Sequence, residues 1–240
     1  MENNQKGKAI ILLYHQVGRK PIKQTNLDCY CHQDRFKEQM AFLNDSKYKV
    51  ISLDDLVGRI SSLKKDFDDD YVVLTFDDGC EKFSETVLPI LRKYDFPSTI
   101  YPVAGCLGEV ASWSKVVNPD LSIVSKLALK QLSEQGVSIG AHTISHINLS
   151  NCDIDNAKEE IFNSKVLLES IIKKDVTSFS YPHGGYNEDV RSLVKSLGFS
   201  NAVTCNSKFI KPDSYLFELP RKYVTYFDTL ESFKTILTDE

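Results

Sequence analysis

The sequence predicts an α/β fold built on a parallel sheet. Short apolar, β-branched segments alternate with longer segments whose apolar residues recur at helical spacing, about seven times along the chain. The apolar segments are hydrophobic throughout rather than at every second residue, as expected for strands covered on both faces. Either an open doubly wound sheet or a closed barrel fits this alternation. In both, the active residues lie at the carboxyl ends of the strands.

The predicted elements follow one another in regular order. Strands are expected at 9–13, 50–52, 71–75, 98–103, 137–140, 177–181 and 199–204, and helices at 34–44, 52–63, 83–94, 123–135, 154–171, 187–197 and from 228 onward. In the first helix Phe36, Met40 and Leu43 share one face. Ser52-Leu-Asp-Asp55 and Asp228-Thr-Leu-Glu231 are typical of helix starts. Gly136 and Gly198 are typical of helix ends.

The composition is that of an ordinary globular protein. The 240 residues carry a net charge of -4 at a sequence pI near 5.8, and 42% of them are hydrophobic. This balance excludes disorder as the main state and argues against nucleic-acid binding, which needs a basic excess. The chain contains no linker-like stretch, so residues 1–240 are expected to form a single domain.

No segment of the sequence resembles a membrane anchor or a leader. The apolar run Ala9–Tyr14 is far shorter than the roughly 20 residues of a transmembrane helix and shorter than a signal-peptide core. A cytoplasmic location is therefore expected, and an exported glycan becomes the better substrate if a leader has been lost. The six scattered cysteines do not form a disulfide scaffold. Cys29 and Cys31 are better explained as reduced thiols in a loop than as a metal or redox pair.

Four polar clusters follow predicted strands. They are His15, Thr75-Phe-Asp-Asp-Gly79, Gly140-Ala-His-Thr-Ile-Ser-His146 and Tyr181-Pro-His-Gly-Gly-Tyr186. Because the carboxyl ends of parallel strands meet at one rim, these clusters should converge on one site.

Two of the clusters together suit a metal ion. Asp77 and Asp78 repel each other unless a cation or strong donors hold them, although a solvated turn is the alternative. His142 and His146 are four residues apart and can grip one ion, although coincidence or a core role is common for such pairs. One carboxylate and two imidazoles form an open site for Zn²⁺ or a similar ion, and the second carboxylate is left to act as a base.

The other two clusters offer a proton donor and an oxyanion site. His15 is the candidate general acid, the alternative being a strand-end histidine bonded to backbone. The glycine-rich segment after Tyr181 is either a plain turn or a source of backbone N–H groups for a developing oxyanion.

Thr75-Phe-Asp-Asp-Gly79, followed about 65 residues later by His142-Thr-Ile-Ser-His146, resembles the polysaccharide deacetylases of carbohydrate esterase family 4, the NodB-homology domain. The likeness extends from about residue 9 to about residue 235. It implies a distorted (β/α)₇ TIM-like barrel. It also implies that Asp77 is the catalytic base and that Asp78, His142 and His146 bind the metal.

Two departures from the family pattern concern the other site residues. The Leu-x-His motif of the acid stands at the N-terminus as Leu13-Tyr-His15, which is similar to the circularly permuted subgroup of poly-N-acetylglucosamine deacetylases. Ser180 stands where many relatives carry an arginine that steers the catalytic aspartate. Arg221 is a candidate replacement, and an ordinary ion pair explains it equally well.

The resemblance to this family also implies that the backbone N–H of His183 donates a hydrogen bond to the developing oxyanion. It also places Tyr181, Pro182 and Gly184 in the substrate-binding turn.

The resemblance implies a metal-dependent hydrolase that removes N-acetyl groups from an amino sugar or glycan and releases acetate. The ion is expected to be Zn²⁺, with Co²⁺ or Ni²⁺ as alternatives. Trp113 and Tyr101 are candidate sugar-stacking residues, and core packing is the alternative for Tyr101. The alternative functions are deacylation of a non-glycan amide or ester, carbohydrate binding without catalysis, and a zinc-stabilised structural domain, which would need a closed four-ligand site.

Overall fold

The computed structural model describes residues 7–19, 26–62, 66–111, 113 and 121–239. Its strands are β1 Ala9–Tyr14, β2 Gln16–Gly18, β3 Tyr30–His32, β4 Lys49–Val50, β5 Tyr71–Asp78, β6 Thr99–Pro102, β7 Ser138–Ile139, β8 Ser178–Ser180, β9 Asn201–Val203 and β10 Lys222–Tyr223. Its α-helices are α1 Gln33–Asp45, α2 Leu53–Ser62, α3 Leu88–Arg92, α4 Lys126–Glu134, α5 Ile154–Ile172, α6 Glu188–Ser196 and α7 Leu230–Thr238. Among these, no helix combines the length and apolarity needed to cross a bilayer.

The main sheet is parallel, as the sequence predicts. Its strand order is β10-β1-β5-β6-β7, and β4 pairs with the start of β5. A second parallel pair, β8-β9, is joined to the main sheet by single bridges from Ala141 to Phe179 and from Val203 to Leu219. The α/β fold is confirmed. The ring of strands is made of separate ladders linked by single bridges, and the described residues do not form one continuously hydrogen-bonded barrel.

The two longest strands are buried on both faces. Ile10, Leu12 and Tyr14 of β1 pack into the large core cluster, whereas Ala9 and Ile11 pack into a smaller one. β5 divides its side chains between the same two clusters. This division accounts for the continuous apolar runs in the sequence, because neither face of these strands meets water.

The last strand lies beside the first. β10 pairs in parallel with β1, in the register Leu12 to Lys222 and Leu13 to Tyr223. β1 pairs on its other side with β5, over its full length. Residues at the carboxyl ends of β1, β5 and β10 are therefore neighbours in space despite their separation along the chain.

The helix starting near residue 123 begins later than predicted. Ile123 donates its N–H to Glu109 O at 2.9 Å and bridges to Cys80, so it belongs to an irregular pairing. Ser125 then caps α4 by accepting the N–H of Ala128. Apolar spacing alone did not reveal this cap.

Two other helices also differ from the predicted pattern. Phe83–Val87 forms a π-helical turn that leads into the short α3, and Tyr94 lies beyond its end. α7 is capped by Thr229 rather than Asp228, which instead bonds to Thr225 and Ser232.

The predicted start of α2 is confirmed, because Ser52 Oγ accepts the N–H of Asp55 at 3.0 Å. Its predicted end at Leu63 lies outside the described residues. β2, β3 and β10 were not predicted, because strands of two or three residues are too short to show a periodicity.

Candidate active site

Asp77 and Asp78 belong to the end of β5, which extends three residues beyond the predicted strand 71–75. They pair with Tyr101 and Pro102 of β6. Asp78 has a left-handed backbone with φ of 67°, and Gly79 follows with φ of 81°. A Cβ on Gly79 would also lie 2.6 Å from Cβ of Pro102, so this position requires glycine. The two carboxylates have different partners, because Asp77 pairs with Arg221 whereas Asp78 meets the imidazoles of His142 and His146.

Asp78, His142 and His146 form a compact metal-ligand set. One ligand atom from each lies within 4.8 Å of the other two, and all three residues are buried. Oδ1 of Asp78 is 3.3 Å from Nε2 of His146 and 3.7 Å from Nε2 of His142. This oxygen has no hydrogen bond from any described residue. A buried carboxylate oxygen facing two imidazole nitrogens is the donor set that a divalent ion such as Zn²⁺ requires.

The protonation states of this set suit a cation. Burial lowers the pKa of His142 to about 4, so its ring is neutral at pH 7. The Nδ1 atom of His142 lies 2.8 Å from the carbonyl oxygen of Ser180, which leaves Nε2 to face Asp78. Burial acts to raise the pKa of Asp78, but the neighbouring imidazoles of His146 and His15 outweigh it and hold that pKa below its usual range. A neutral imidazole and a carboxylate anion are the forms that bind metal.

The turn that carries the two histidines follows β7. Thr143 and His146 both have a left-handed φ of 62°. Thr143 Oγ1 accepts the N–H of His146 at 3.0 Å and so closes the turn. The Trp113 ring stacks on the His146 ring with centroids 4.4 Å apart.

Asp77 is held by Arg221 in a buried bidentate ion pair. Nη1 and Nη2 of Arg221 donate to Oδ1 and Oδ2 at 2.7 and 2.6 Å, and Nε donates to Thr204 O at 2.9 Å. Burial acts to raise the pKa of Asp77, but the Arg221 guanidinium outweighs it and holds that pKa below its usual value. Ser180 Oγ donates to Asp77 and accepts from Arg221, so this hydroxyl contacts both members of the ion pair.

His15 lies at the end of β1, on the same cavity as the carboxylates. Its ring stacks on Tyr223 of β10 with centroids 5.9 Å apart. Its buried Nδ1 has no hydrogen-bond partner among the described residues. The structure therefore brings His15 together with Asp77, Asp78 and both candidate histidine ligands.

The turn after β8 contributes one residue to the cavity. His183 has a φ of 58°, and its ring packs edge-on against His146 at a centroid distance of 4.5 Å. Burial, with a smaller contribution from His146, lowers the pKa of His183. Tyr181 is fully buried and donates its hydroxyl to Phe217 O. Tyr181, Pro182 and Gly184 are not among the residues that line the cavity, and their role in substrate binding stays a prediction.

The cavity has a volume of about 240 Å³. Its lining consists of His15, Gln16, Asn26, Cys29, Asp77, Asp78, Trp113, Leu121, His142, His146, His183, Cys205 and Tyr223. The expectation that Tyr101 lines a sugar groove is wrong, because its side chain is fully buried and its hydroxyl bonds to Ser178.

Sequence reasoning missed six cavity residues, which are Gln16, Asn26, Cys29, Leu121, Cys205 and Tyr223. Gln16 and Tyr223 lie at or just beyond strand ends, where the rule for parallel sheets could have found them. Cys29 and Cys205 carry no comparable signal.

Comparisons with known proteins agree with this site. The polysaccharide deacetylase family model matches residues 64–202. The poly-β-1,6-N-acetyl-D-glucosamine N-deacetylase of Staphylococcus aureus (strain MRSA252) is 26% identical over 236 residues, covering 89% of this chain and 77% of that protein.

Two solved structures share the fold. IcaB from Ammonifex degensii superposes with a TM-score of 0.82 at 19% identity and covers 97% of each chain. The Streptococcus pyogenes deacetylase PplD, solved with acetate, has a TM-score of 0.81 at 24% identity over 97% of this chain and 99% of that one. Because the family model spans more than half of the sequence and the metal-ligand set is in place, the chain belongs to the polysaccharide deacetylase family.

Proposed function

We propose that this chain hydrolyses the N-acetyl groups of N-acetylglucosamine units in an oligo- or polysaccharide and releases acetate. The observation that carries the proposal is the shared cavity, where a carboxylate paired with Arg221 and the imidazole of His15 flank one set of metal ligands. One cluster of buried side chains extends from Ile10 to Leu237, which supports a single catalytic domain.

Asp78, His142 and His146 would hold the divalent ion, and we propose Zn²⁺ because two imidazoles and one carboxylate leave an open coordination position. Such an ion, when bound, polarises the acetyl carbonyl and lowers the pKa of water toward ~7.

Asp77 acts as the general base. Its carboxylate receives a proton from the water that attacks the acetyl carbon. Arg221 keeps this carboxylate deprotonated and fixes its direction through two hydrogen bonds. Asp77 is therefore ready to accept a proton at neutral pH even though it is buried.

His15 acts as the general acid. It gives a proton to the amide nitrogen as the carbon–nitrogen bond breaks, so that the sugar leaves as an amine and the acyl group as acetate. The backbone N–H of His183, in the turn that faces His146, donates to the carbonyl oxygen as negative charge develops there.

Acetate release from N-acetylglucosamine oligomers of increasing length tests this function. The metal-loaded chain should release acetate, and a chelator should abolish the release until metal is restored. Acetylated xylan and small amides serve as competing substrates in parallel assays. Preference for either of these would show that the chain cleaves an ester or a non-glycan amide instead. Oligomer binding without acetate release would show a non-catalytic carbohydrate-binding protein.

A further inference from the structure

The turn between the two histidine ligands is held from behind by a side chain of α5. We propose that Glu160 is a positioning residue that keeps the 142–146 turn in the shape that binds metal. This inference rests on the metal site of the proposed function.

The Glu160 carboxylate makes three hydrogen bonds to the turn. Oε2 accepts the N–H groups of Ile144 and Ser145, each at 2.9 Å. Oε1 accepts the hydroxyl of Ser145 at 2.8 Å. Both contacted residues lie between His142 and His146, and Glu160 itself touches neither imidazole through these bonds.

The turn needs such support because its backbone is unfavourable. Thr143 and His146 have left-handed φ values, which side chains with a Cβ rarely adopt and which are rarest for a β-branched residue such as Thr143. The backbone N–H groups of such an irregular turn have no partner in a helix or a sheet. Glu160 accepts hydrogen bonds from two of them.

The opposite side of the turn is fixed as well. Ala104 N–H donates to Thr143 O at 3.0 Å, and Gly105 N–H donates to Ile144 O at 2.9 Å. A Cβ on Gly105 would lie 2.5 Å from Ile144 O, so only glycine allows this approach. Residues 104–105 thus bond to two carbonyl groups of the turn, and Glu160 bonds to two of its N–H groups. The turn lies between these two segments and is fixed by both.

Glu160 can act as a rigid support because its helix is anchored. Ala157, Ile161 and Ser164 of α5 are fully buried, so the segment around Glu160 is fixed against the core. Glu160 is only partly exposed, and its neighbour Glu159 is exposed on the same helix. Hydrogen bonds from N–H groups to a charged carboxylate are about twice as strong as neutral ones, which suits a glutamate for this role.

Metal affinity is the direct test. The dissociation constant for Co²⁺ is measured by calorimetry on the metal-free chain, together with the visible absorption spectrum of the Co²⁺-loaded protein, which reports ligand geometry. Outer groups that orient metal ligands typically contribute about 10- to 100-fold in affinity. We expect Glu160→Ala to weaken Co²⁺ binding by that factor and to alter the spectrum.

Two further variants separate positioning from general damage. Glu160→Gln keeps an acceptor for the two N–H groups and should recover most of the affinity. Glu159→Ala removes an exposed carboxylate one residue away and should leave affinity and spectrum unchanged. Thermal unfolding of the metal-free proteins shows whether each variant folds.

An unchanged dissociation constant and spectrum for folded Glu160→Ala would overturn the inference. If that variant does not fold, Ser145→Ala, which removes one of the three bonds, decides the matter: weaker Co²⁺ binding supports the role and unchanged binding refutes it. Failure of the unmodified chain to bind Co²⁺ would instead refute the metal site of the proposed function, so the two failures are distinguishable.

Discussion

At the scale of single residues, the site depends on the buried ion pair between Arg221 and Asp77. Arg221 is fully buried, and an isolated guanidinium or carboxylate would be strongly disfavoured there. The planar guanidinium meets both oxygens of Asp77, a geometry that lysine could not reproduce. The proposed base Asp77 therefore depends on the guanidinium of Arg221, which is distant along the chain.

Replacing Asp77 by asparagine should remove the base and leave the metal ligands in place. We expect kcat to fall by about 10²–10⁴-fold, the usual contribution of a positioned base. Steady-state acetate release gives kcat, and elemental analysis of the purified variant gives its metal content. Activity close to that of the unmodified chain would remove Asp77 from the base role.

Replacing Arg221 by methionine should leave the Asp77 carboxylate buried without its partner. We expect the free energy of unfolding to fall by about 3–5 kcal/mol. Urea denaturation measures this loss. Arg92→Met is the control, because Arg92 is exposed and should change stability by no more than about 0.5 kcal/mol.

The pairing itself is tested by combining Arg221→Met with Asp77→Asn. The double variant should lose less stability than the sum of the two single variants, since each single change leaves one buried partner uncompensated. Additive losses would contradict a direct interaction.

At the scale of elements, α5 connects the core to the site. Its buried face includes Ala157, Ile161, Leu168 and Ile172, and its residue Glu160 meets the histidine turn. A substitution that loosens the packing of α5 should therefore lower the free energy of unfolding and also change the shape of the 142–146 turn.

Replacing Leu168 by alanine should destabilise the protein by about 2–5 kcal/mol, because the side chain is fully buried and its removal leaves a cavity. Val166, on the same helix, is 46% exposed, and Val166→Ala should change stability by no more than about 0.5 kcal/mol. Chemical denaturation of both variants makes the comparison. Equal losses of stability in the two variants would contradict the claim that the buried face of α5 contributes more than its exposed face.

Long periodic elements were predictable from sequence, and irregular ones were not. α5 shows apolar residues at helical spacing over five turns, so its bounds were predicted to within one residue. α4 is preceded by an irregular pairing of Ile123, whose apolar side chain cannot be told from the first turn of a helix. β10 has two residues, and only its neighbour β1 makes it a strand.

The same distinction applies to the site. Asp77, Asp78, His142 and His146 could be proposed from two local motifs, because both follow strands. The ion pair of Arg221 with Asp77 joins residues 144 apart, and no local pattern determines it. The buried position of Tyr101 likewise depends on which face of β6 packs into the smaller core cluster, the one that contains Ala9 and Ile11.

At the scale of the whole molecule, metal binding and folding are linked. The three ligands come from β5 and from the turn after β7, so they come together only in the folded chain. A ligand that binds the folded state alone stabilises it by mass action.

Adding Zn²⁺ to the metal-free protein at about 100 times the dissociation constant should stabilise it by about 2.7 kcal/mol. For a chain of this size that corresponds to a rise in Tm of about 5–10 °C. Differential scanning calorimetry measures the shift. His142→Ala is the matched variant and should show almost none, whereas an equal shift in both proteins would place the ion elsewhere.

The pairing of β10 with β1 also has a consequence for synthesis of the protein. Asp77 leaves the ribosome long before Arg221, and until β10 docks the carboxylate has no counter-charge. A nascent chain that has folded around β5 must keep this carboxylate hydrated or protonated. The ion pair that fixes the proposed base can therefore form only after residue 221 has been made.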